Sequence, residues 1–88
     1  MWWIDVKILY FARVRQIVGR GEDSIELPPS VKTVGELIDF LSERDKGCAA
    51  AFADRRTLRA AVDKEHVQLG ALLSGAKEVA FFPPVTGG

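Results

Sequence analysis

The sequence predicts an α+β fold in which a mixed sheet of about five strands packs on one principal helix, with short extra helices. Three observations lead to this prediction. The chain has 88 residues, strand-like segments lie towards both ends, and the clearest helical pattern lies between them. A chain of this size hides only about 60–65% of its unfolded surface, so one thin core must serve most residues.

The first third of the chain predicts two strands on either side of a short helix. Residues 6–11 (VKILYF) are β-branched, aliphatic and aromatic, as is typical of a strand. Residues 12–18 carry apolar side chains at helical spacing, and Gly19 favours a helix end after them. Residues 24–27 (SIEL) alternate and stop at Pro28-Pro29, which indicates a second strand paired with the first.

The principal helix has a recognisable start. Thr33 and Glu36 form a T-x-x-E capping box, in which each side chain can satisfy a backbone donor of the other residue. The apolar stripe of this helix follows at positions i, i+3, i+4 and i+7: Val34, Leu37, Ile38 and Leu41. We expect Gly47 to end the helix and residues 49–52 to add a short helical turn.

The second half of the chain predicts three more strands. Residues 58–62 (LRAAV) form the third strand, and a turn at 63–65 leads to a short fourth strand at about 66–68. Residues 78–82 (EVAFF) form the last strand.

The connection before the last strand is expected to fill the core with Leu72 and Leu73. The order strand, strand, helix, strand, strand, strand is that of a ubiquitin-like β-grasp. We therefore predict one domain over residues 1–82, followed by an extended tail over residues 83–88.

The composition limits the chemistry of the chain. Twelve Lys and Arg balance twelve Asp and Glu, which argues against a nucleic-acid binder. No segment approaches the roughly 18 apolar residues that a membrane span needs, and a single cysteine fits a reducing, cytoplasmic location. With one His and one Cys, we expect no metal site, no bound cofactor and no catalysis by this chain alone.

One face of the predicted sheet should be open to solvent, because helices cover only the other face. Strand alternation places the charged residues Lys7, Arg59 and Glu78 on this open face. The same alternation leaves five apolar residues exposed beside them: Leu9, Phe11, Ala61, Ala80 and Phe82. Since the first and last strands are neighbours in this topology, we predict that the five form a partner-binding patch. The alternative is that they are scattered surface residues without a role.

The chain ends in the sequence FFPPVTGG, and we predict that this segment carries the reactive group of the protein. Two prolines favour an extended backbone, and six residues at about 3.1–3.3 Å each let the carboxylate project roughly 20 Å. The two final glycines lack a Cβ atom and can enter a narrow passage. We expect this tail to thread into another protein's active site, with Gly88 at the reactive end and a threading segment behind it: Pro83, Pro84, Val85, Thr86 and Gly87.

Two segments carry a resemblance to a known family. Residues 6–15 (VKILYFARVR) are similar to the opening, and residues 78–88 (EVAFFPPVTGG) to the close, of the small subunits of molybdopterin synthase, the MoaD family of the ubiquitin-like MoaD/ThiS superfamily. The similarity extends through the capped helix and the LRAAVDKEHV hairpin. Residues 1–3 and 44–54 depart from the family pattern.

This resemblance implies a sulfur carrier. In that family the C-terminal carboxylate is adenylated by an ATP-using partner of the ubiquitin-activating type, and a sulfur donor system then converts it to a thiocarboxylate. The large synthase subunit takes up the tail, and the sulfur passes to cyclic pyranopterin monophosphate during molybdopterin biosynthesis. A heterotetramer of two small and two large subunits is also implied. Here Gly88 would be the carboxylate, and Gly87 would permit threading.

The sequence leaves three alternatives open. The same tail chemistry would serve a carrier of the ThiS type in thiamine thiazole synthesis, or a ubiquitin-like modifier joined to lysines through Gly88. A plain interaction module would use only the sheet surface. Cys48 is expected to be a buried or incidental thiol rather than a sulfur relay, and His66 a surface or interface residue rather than a metal ligand.

Overall fold

The computed structural model describes residues 3–73 and 75–84, in which a five-stranded sheet carries its helices on one face. The strands are β1 (Ile4–Tyr10), β2 (Glu22–Leu27), β3 (Arg59–Val62), β4 (Glu65–Val67) and β5 (Glu78–Phe82). The helices are α1 (Ala12–Val18), α2 (Val34–Arg44) and α3 (Lys46–Ala51), with a 3₁₀ turn at Arg55–Thr57. The predicted α+β class and mixed five-stranded sheet are confirmed.

The last strand in the sequence occupies the middle of the sheet. The strand order is β2-β1-β5-β3-β4. The central strand β5 runs parallel to β1 and antiparallel to β3, and the remaining pairs are antiparallel. The chain therefore leaves the sheet from its centre, at the edge where β1 ends and β3 begins.

The start of α2 confirms the predicted capping box. The Glu36 backbone N–H donates to Thr33 Oγ1 at 3.1 Å, and the Thr33 N–H donates to Glu36 Oε1 at 3.0 Å. Hydrogen bonds from the Lys32 and Thr33 N–H groups also lower the pKa of Glu36. All four residues of the predicted apolar stripe are buried against the sheet.

The expected helix end at Gly47 is wrong. Helix α2 ends at Arg44, and Asp45 caps both helices: its N–H donates to the Leu41 carbonyl, while its side chain accepts from the Gly47 N–H at 3.2 Å. Gly47 lies inside α3, where a Cβ atom would sit only 3.0 Å from the Val18 carbonyl oxygen. The glycine thus permits a close approach of α3 to the end of α1.

Two turns follow the sequence prediction. Helix α1 spans the predicted residues and ends at Gly19, whose φ of 92° is left-handed. The β3–β4 hairpin turns at Asp63 and Lys64, with φ of 48° and 74°. Two consecutive left-handed residues match the twist of antiparallel strands.

Of the two leucines before β5 that were expected to fill the core, one does so. Leu73 is buried, whereas Leu72 is 68% exposed. Leu72 lies opposite Thr33 in an isolated antiparallel bridge, and neighbouring residues in an extended backbone point to opposite sides, so only one of the pair can reach the core. Among the described helices, none is both long and apolar enough to cross a membrane.

Candidate functional site

The five residues of the predicted patch all belong to the open face of the sheet. Its middle is a single row of side chains carried by β1, β5, β3 and β4 in turn: Leu9, Ala80, Ala61 and His66. The next row holds Phe82 opposite Arg59, and Phe11 lies just beyond the end of β1. The binding role of these residues remains a prediction.

Two of the five are not exposed as expected. Ala61 and Ala80 have only 6% and 8% of their surface accessible. The rings of Phe82 and His66 lie 5.1 Å apart between centroids, although their strands are on opposite sides of β3. The two rings must therefore meet above β3, where they cover the small side chain of Ala61.

The accessible apolar surface is thus smaller than predicted and includes one additional residue. Phe11 is 47% exposed, and Leu9 and Phe82 are partly exposed. His66 joins them through its ring contact with Phe82. We call these four residues the exit patch. His66 was missing from the predicted patch, although its place opposite Ala61 follows from a two-residue turn at Asp63 and Lys64.

The tail begins directly beside the exit patch. The Phe11 N–H donates to the Phe81 carbonyl at 3.0 Å, which fixes the end of β1 against the end of β5. On the other side, Arg59 Nη1 donates to the carbonyls of Arg56 and Leu58 at 3.1 and 3.0 Å. Pro83 therefore follows β5 between the end of β1 and the start of β3.

Only the first part of the predicted threading segment can be placed. Pro83 and Pro84 follow β5 without regular secondary structure and are partly exposed. The remaining predicted tail residues, Val85, Thr86, Gly87 and Gly88, lie outside the described residues. Their threading and reactive roles remain predictions.

Cys48 is buried on the opposite side of the sheet, away from the exit patch. Its Sγ donates to Asp45 Oδ2 at 3.3 Å and lies 3.5 Å from the Tyr10 hydroxyl. Burial raises the pKa of the thiol to about 11. At neutral pH it is therefore protonated and inaccessible, which argues against a role as a sulfur nucleophile.

The same region holds a connected set of polar side chains. The Tyr10 hydroxyl donates to Asp23 Oδ2 at 2.9 Å, and Arg20 donates to both Asp23 and Asp45. The Arg20 guanidinium is the main cause of a lowered pKa at each of these two carboxyl groups. We call these five residues the polar network: Tyr10, Arg20, Asp23, Asp45 and Cys48. Because they join β1, β2 and the α2–α3 junction, their role is structural.

The sequence comparisons place this fold in a family. The ThiS family model matches residues 8–88. The chain belongs to the ThiS family. It is 40% identical over 83 residues to the molybdopterin synthase sulfur carrier subunit of Escherichia coli, an alignment that covers 94% of this chain and 99% of that protein. The membership suggested by the two terminal segments is thereby confirmed.

Solved structures agree with the fold. A putative molybdopterin converting factor subunit 1 from Pyrococcus furiosus is 31% identical, with a TM-score of 0.69 over 93% of this chain and 99% of that one. The small archaeal modifier protein 1 of Haloferax volcanii is 22% identical, with a TM-score of 0.69 over 92% and 98% of the two chains. The latter likeness shows the fold alone, and the two together confirm the predicted ubiquitin-like β-grasp.

Proposed function

We propose that this chain is a sulfur carrier of molybdopterin biosynthesis. Gly88 would bear the carboxylate that becomes a thiocarboxylate and donates its sulfur to cyclic pyranopterin monophosphate. The observation that carries the proposal is the 40% identity, across nearly the full length of both chains, to the sulfur carrier subunit of molybdopterin synthase from E. coli.

The chemistry requires two steps that a partner must catalyse. A carboxylate is a poor acceptor for sulfur until one of its oxygens can leave. An activating enzyme supplies this by joining the Gly88 carboxylate to the α-phosphate of ATP, with pyrophosphate as the leaving group. Sulfide from the donor system then attacks the carboxyl carbon and displaces AMP, so that a C–S bond replaces the C–O bond to AMP and Gly88 is left as a thiocarboxylate. ATP is bound by the activating enzyme, and this chain needs no resident cofactor.

The described residues suit a passive carrier. The one cysteine is buried with a raised pKa, so it does not compete with the tail for activated sulfur. In residues 3–73 and 75–84, no three His, Cys, Asp or Glu side chains are grouped to hold a metal ion. Acid–base groups and phosphate binding would come from the partners in turn, in the cytoplasm.

The exit patch would be the contact for the large synthase subunit. It is apolar, it is accessible at Phe11, and it adjoins the residue from which the tail departs. A tail of six residues spans about 20 Å when extended, which is enough to enter a deep active site while the sheet remains docked outside. In this proposal the domain binds the large subunit, and residues 83–88 carry the sulfur into its active site.

Intact-mass measurement tests the proposal directly. The chain is incubated with the activating enzyme, ATP and a sulfur source, and the expected result is the mass gain of one oxygen-to-sulfur exchange at Gly88. A matched variant without Gly87 and Gly88 should show no gain. An unchanged mass for the full chain, under conditions that thiocarboxylate a known carrier, would overturn the proposal.

The product of sulfur transfer distinguishes the proposed function from a carrier of the ThiS type and from a protein modifier. Thiocarboxylated chain mixed with the large synthase subunit and cyclic pyranopterin monophosphate should yield the dithiolene product. Transfer into a thiazole instead would support the thiamine pathway. Isopeptide-linked adducts on lysines would support a protein modifier.

A further inference from the structure

The helix side of the sheet holds an apolar pocket at the end opposite the tail. Its volume is about 330 Å³, and pockets that bind small ligands start at about 300 Å³. The pocket lies where β1 begins and β2 ends, and leucines of the connection before β5 form another part of its wall. Most of the lining residues are aliphatic or proline, among them Ile4, Val6, Leu27, Pro29, Leu72 and Leu73.

Two apolar side chains of this pocket are left open to solvent. Ile4 is 51% exposed and Leu72 is 68% exposed, whereas Val6 and Leu27 beside them are buried. Among the described residues that line the pocket, Lys32 is the one with a charged side chain. Because the removal of aliphatic surface from water is favourable, the pocket favours an apolar occupant.

The strand register points to a residue of the chain itself. Ile4 pairs with Leu27 in the antiparallel β1–β2 ladder, so two further steps along the chain would bring Trp2 level with Pro29, which lines the pocket. Side chains two residues apart in a strand share a face, and this alternation assigns Trp2 to the face of Ile4 and Val6. That is the face on which the pocket opens.

The neighbouring tryptophan is excluded by the same alternation. Trp3 immediately precedes β1, is 55% exposed and belongs to the opposite, open face of the sheet. Trp2 lies outside the described residues, and two residues of extended chain correspond to about 7 Å from Ile4. A tryptophan ring can bury about 150–250 Å² of surface, which suits an apolar pocket of this kind.

We propose that the pocket is a binding site for an aromatic side chain and that Trp2 of the same chain occupies it. The indole ring packs between the start of β1 and the leucines before β5, where it covers Ile4 and Leu72. Its N–H stays at the mouth of the pocket in water, so that no polar group is buried without a partner. The covalent tether gives Trp2 a high effective concentration at the site. Since this site and the exit patch lie at opposite ends of the sheet, its occupancy does not depend on the proposed function.

Fluorescence can measure the two tryptophans of the chain one at a time. Trp3→Phe leaves Trp2 as the sole tryptophan, and Trp2→Phe leaves Trp3 as the matched control. We expect Trp2 to emit at a shorter wavelength than Trp3 and to be quenched several-fold less by acrylamide, because the pocket shields its ring from water and quencher. Equal quenching of the two residues would overturn the proposal. Protection of Trp2 that appears only as the protein concentration rises would also overturn it, since the occupant would then come from a second copy.

Chemical rescue with indole tests the site itself. Trp2→Ala should lower the melting temperature by about 4–8 °C in a chain of this size, whereas Trp3→Ala should change it little. Added indole should raise the melting temperature of the Trp2→Ala chain and leave that of the wild type unchanged, because an emptied apolar cavity binds an aromatic molecule of matching size. A Trp2→Ala chain that melts like the wild type, or that indole does not stabilise, would contradict the proposal. An equal gain for the wild type would contradict it as well, because the pocket would then be empty in the intact chain.

Discussion

On the helix side of the sheet, every buried side-chain nitrogen and oxygen among the described residues has a hydrogen-bond partner. On the open face, by contrast, carboxylates of the described strands are without an ion pair and phenylalanine rings are in contact with solvent. The contrast is sharpest between two adjacent residues of β1. Tyr10 is fully buried with its hydroxyl bonded to Asp23, and Leu9 is half-buried on the other face. The helix side is complete in the isolated chain, and under the proposed function a partner would cover the open face.

The difference follows from what each face contributes to free energy. Buried polar groups are costly unless paired, so the polar network stabilises the fold only because its members satisfy one another. Exposed apolar area contributes nothing to folding, but its removal from water favours binding when a partner covers it. Substitutions on the two faces should therefore separate folding from binding.

The largest effect is expected at the exit patch. Phe11→Lys should weaken binding to the large subunit by about 2–4 kcal/mol, roughly 30- to 1000-fold, because it places a charge where an apolar ring is buried in the complex. Calorimetric titration measures this change. Ile17→Lys is the matched control, since Ile17 is 38% exposed on α1, away from the sheet face. Wild-type affinity for Phe11→Lys would contradict the role assigned to the patch.

A smaller effect, on folding alone, is expected at the helix junction. Asp45→Ala removes the cap of α3 and the acceptor of the Cys48 thiol, and should cost about 1–2 kcal/mol of unfolding free energy. Urea titration measures the loss, and affinity for the large subunit should stay unchanged. Asp39→Ala breaks only the surface pair with Arg55, so it should cost less than about 1 kcal/mol. Equal losses in the two variants would contradict a special role for Asp45.

The junction also shows what the sequence could not reveal. The capping box at Thr33 and Glu36 was predictable because both partners lie within one turn of chain. Gly47 was wrongly expected to end α2, because its role depends on how closely α3 approaches Val18, a contact between distant parts of the sequence. Local signals predicted the start of α2 and the end of α1 at Gly19, whereas the place of Gly47 inside α3 depends on a contact between elements.

The candidate site also has one part that the sequence predicts and one part that depends on contacts between elements. The tail motif is linear, so its residues could be named from the sequence, while the exit patch depends on register. Strand alternation assigns Ala61 to the open face, and it was therefore expected to be exposed. Alternation does not show that larger neighbouring side chains cover it, which leaves Ala61 buried. Only the pairing of β3 with both β4 and β5 shows that Phe82 and His66 meet above it.

A moderate loss of stability is expected where the helices approach most closely. Gly47→Ala adds a Cβ atom 3.0 Å from the Val18 carbonyl oxygen, which is backbone and cannot turn aside. Overpacking of this kind costs about 1–3 kcal/mol and should exceed the gain of up to about 1 kcal/mol in helix propensity. Gly70→Ala is the control, because nothing lies within 4 Å of its Cβ position. A Gly47→Ala chain as stable as the wild type in urea would show that α3 can shift freely.

The smallest effect is a pH dependence confined to the helix side. Arg20 holds the pKa values of Asp23 and Asp45 below their ordinary range, so both carboxyl groups favour the folded state while they are ionised. This contribution is present above the pKa of the unfolded chain and is lost as the pH falls below about 4, through the folded values. Replacing Arg20→Met should therefore destabilise the chain most at pH 7 and least near pH 3, by about 1 kcal/mol or less for partly exposed pairs. Urea titrations across this range measure the difference, with Lys46→Met as a control that also removes one positive charge. A constant difference between wild type and Arg20→Met would mean that the guanidinium acts by packing on Tyr10, which it faces at 5.9 Å, rather than through the two carboxylates.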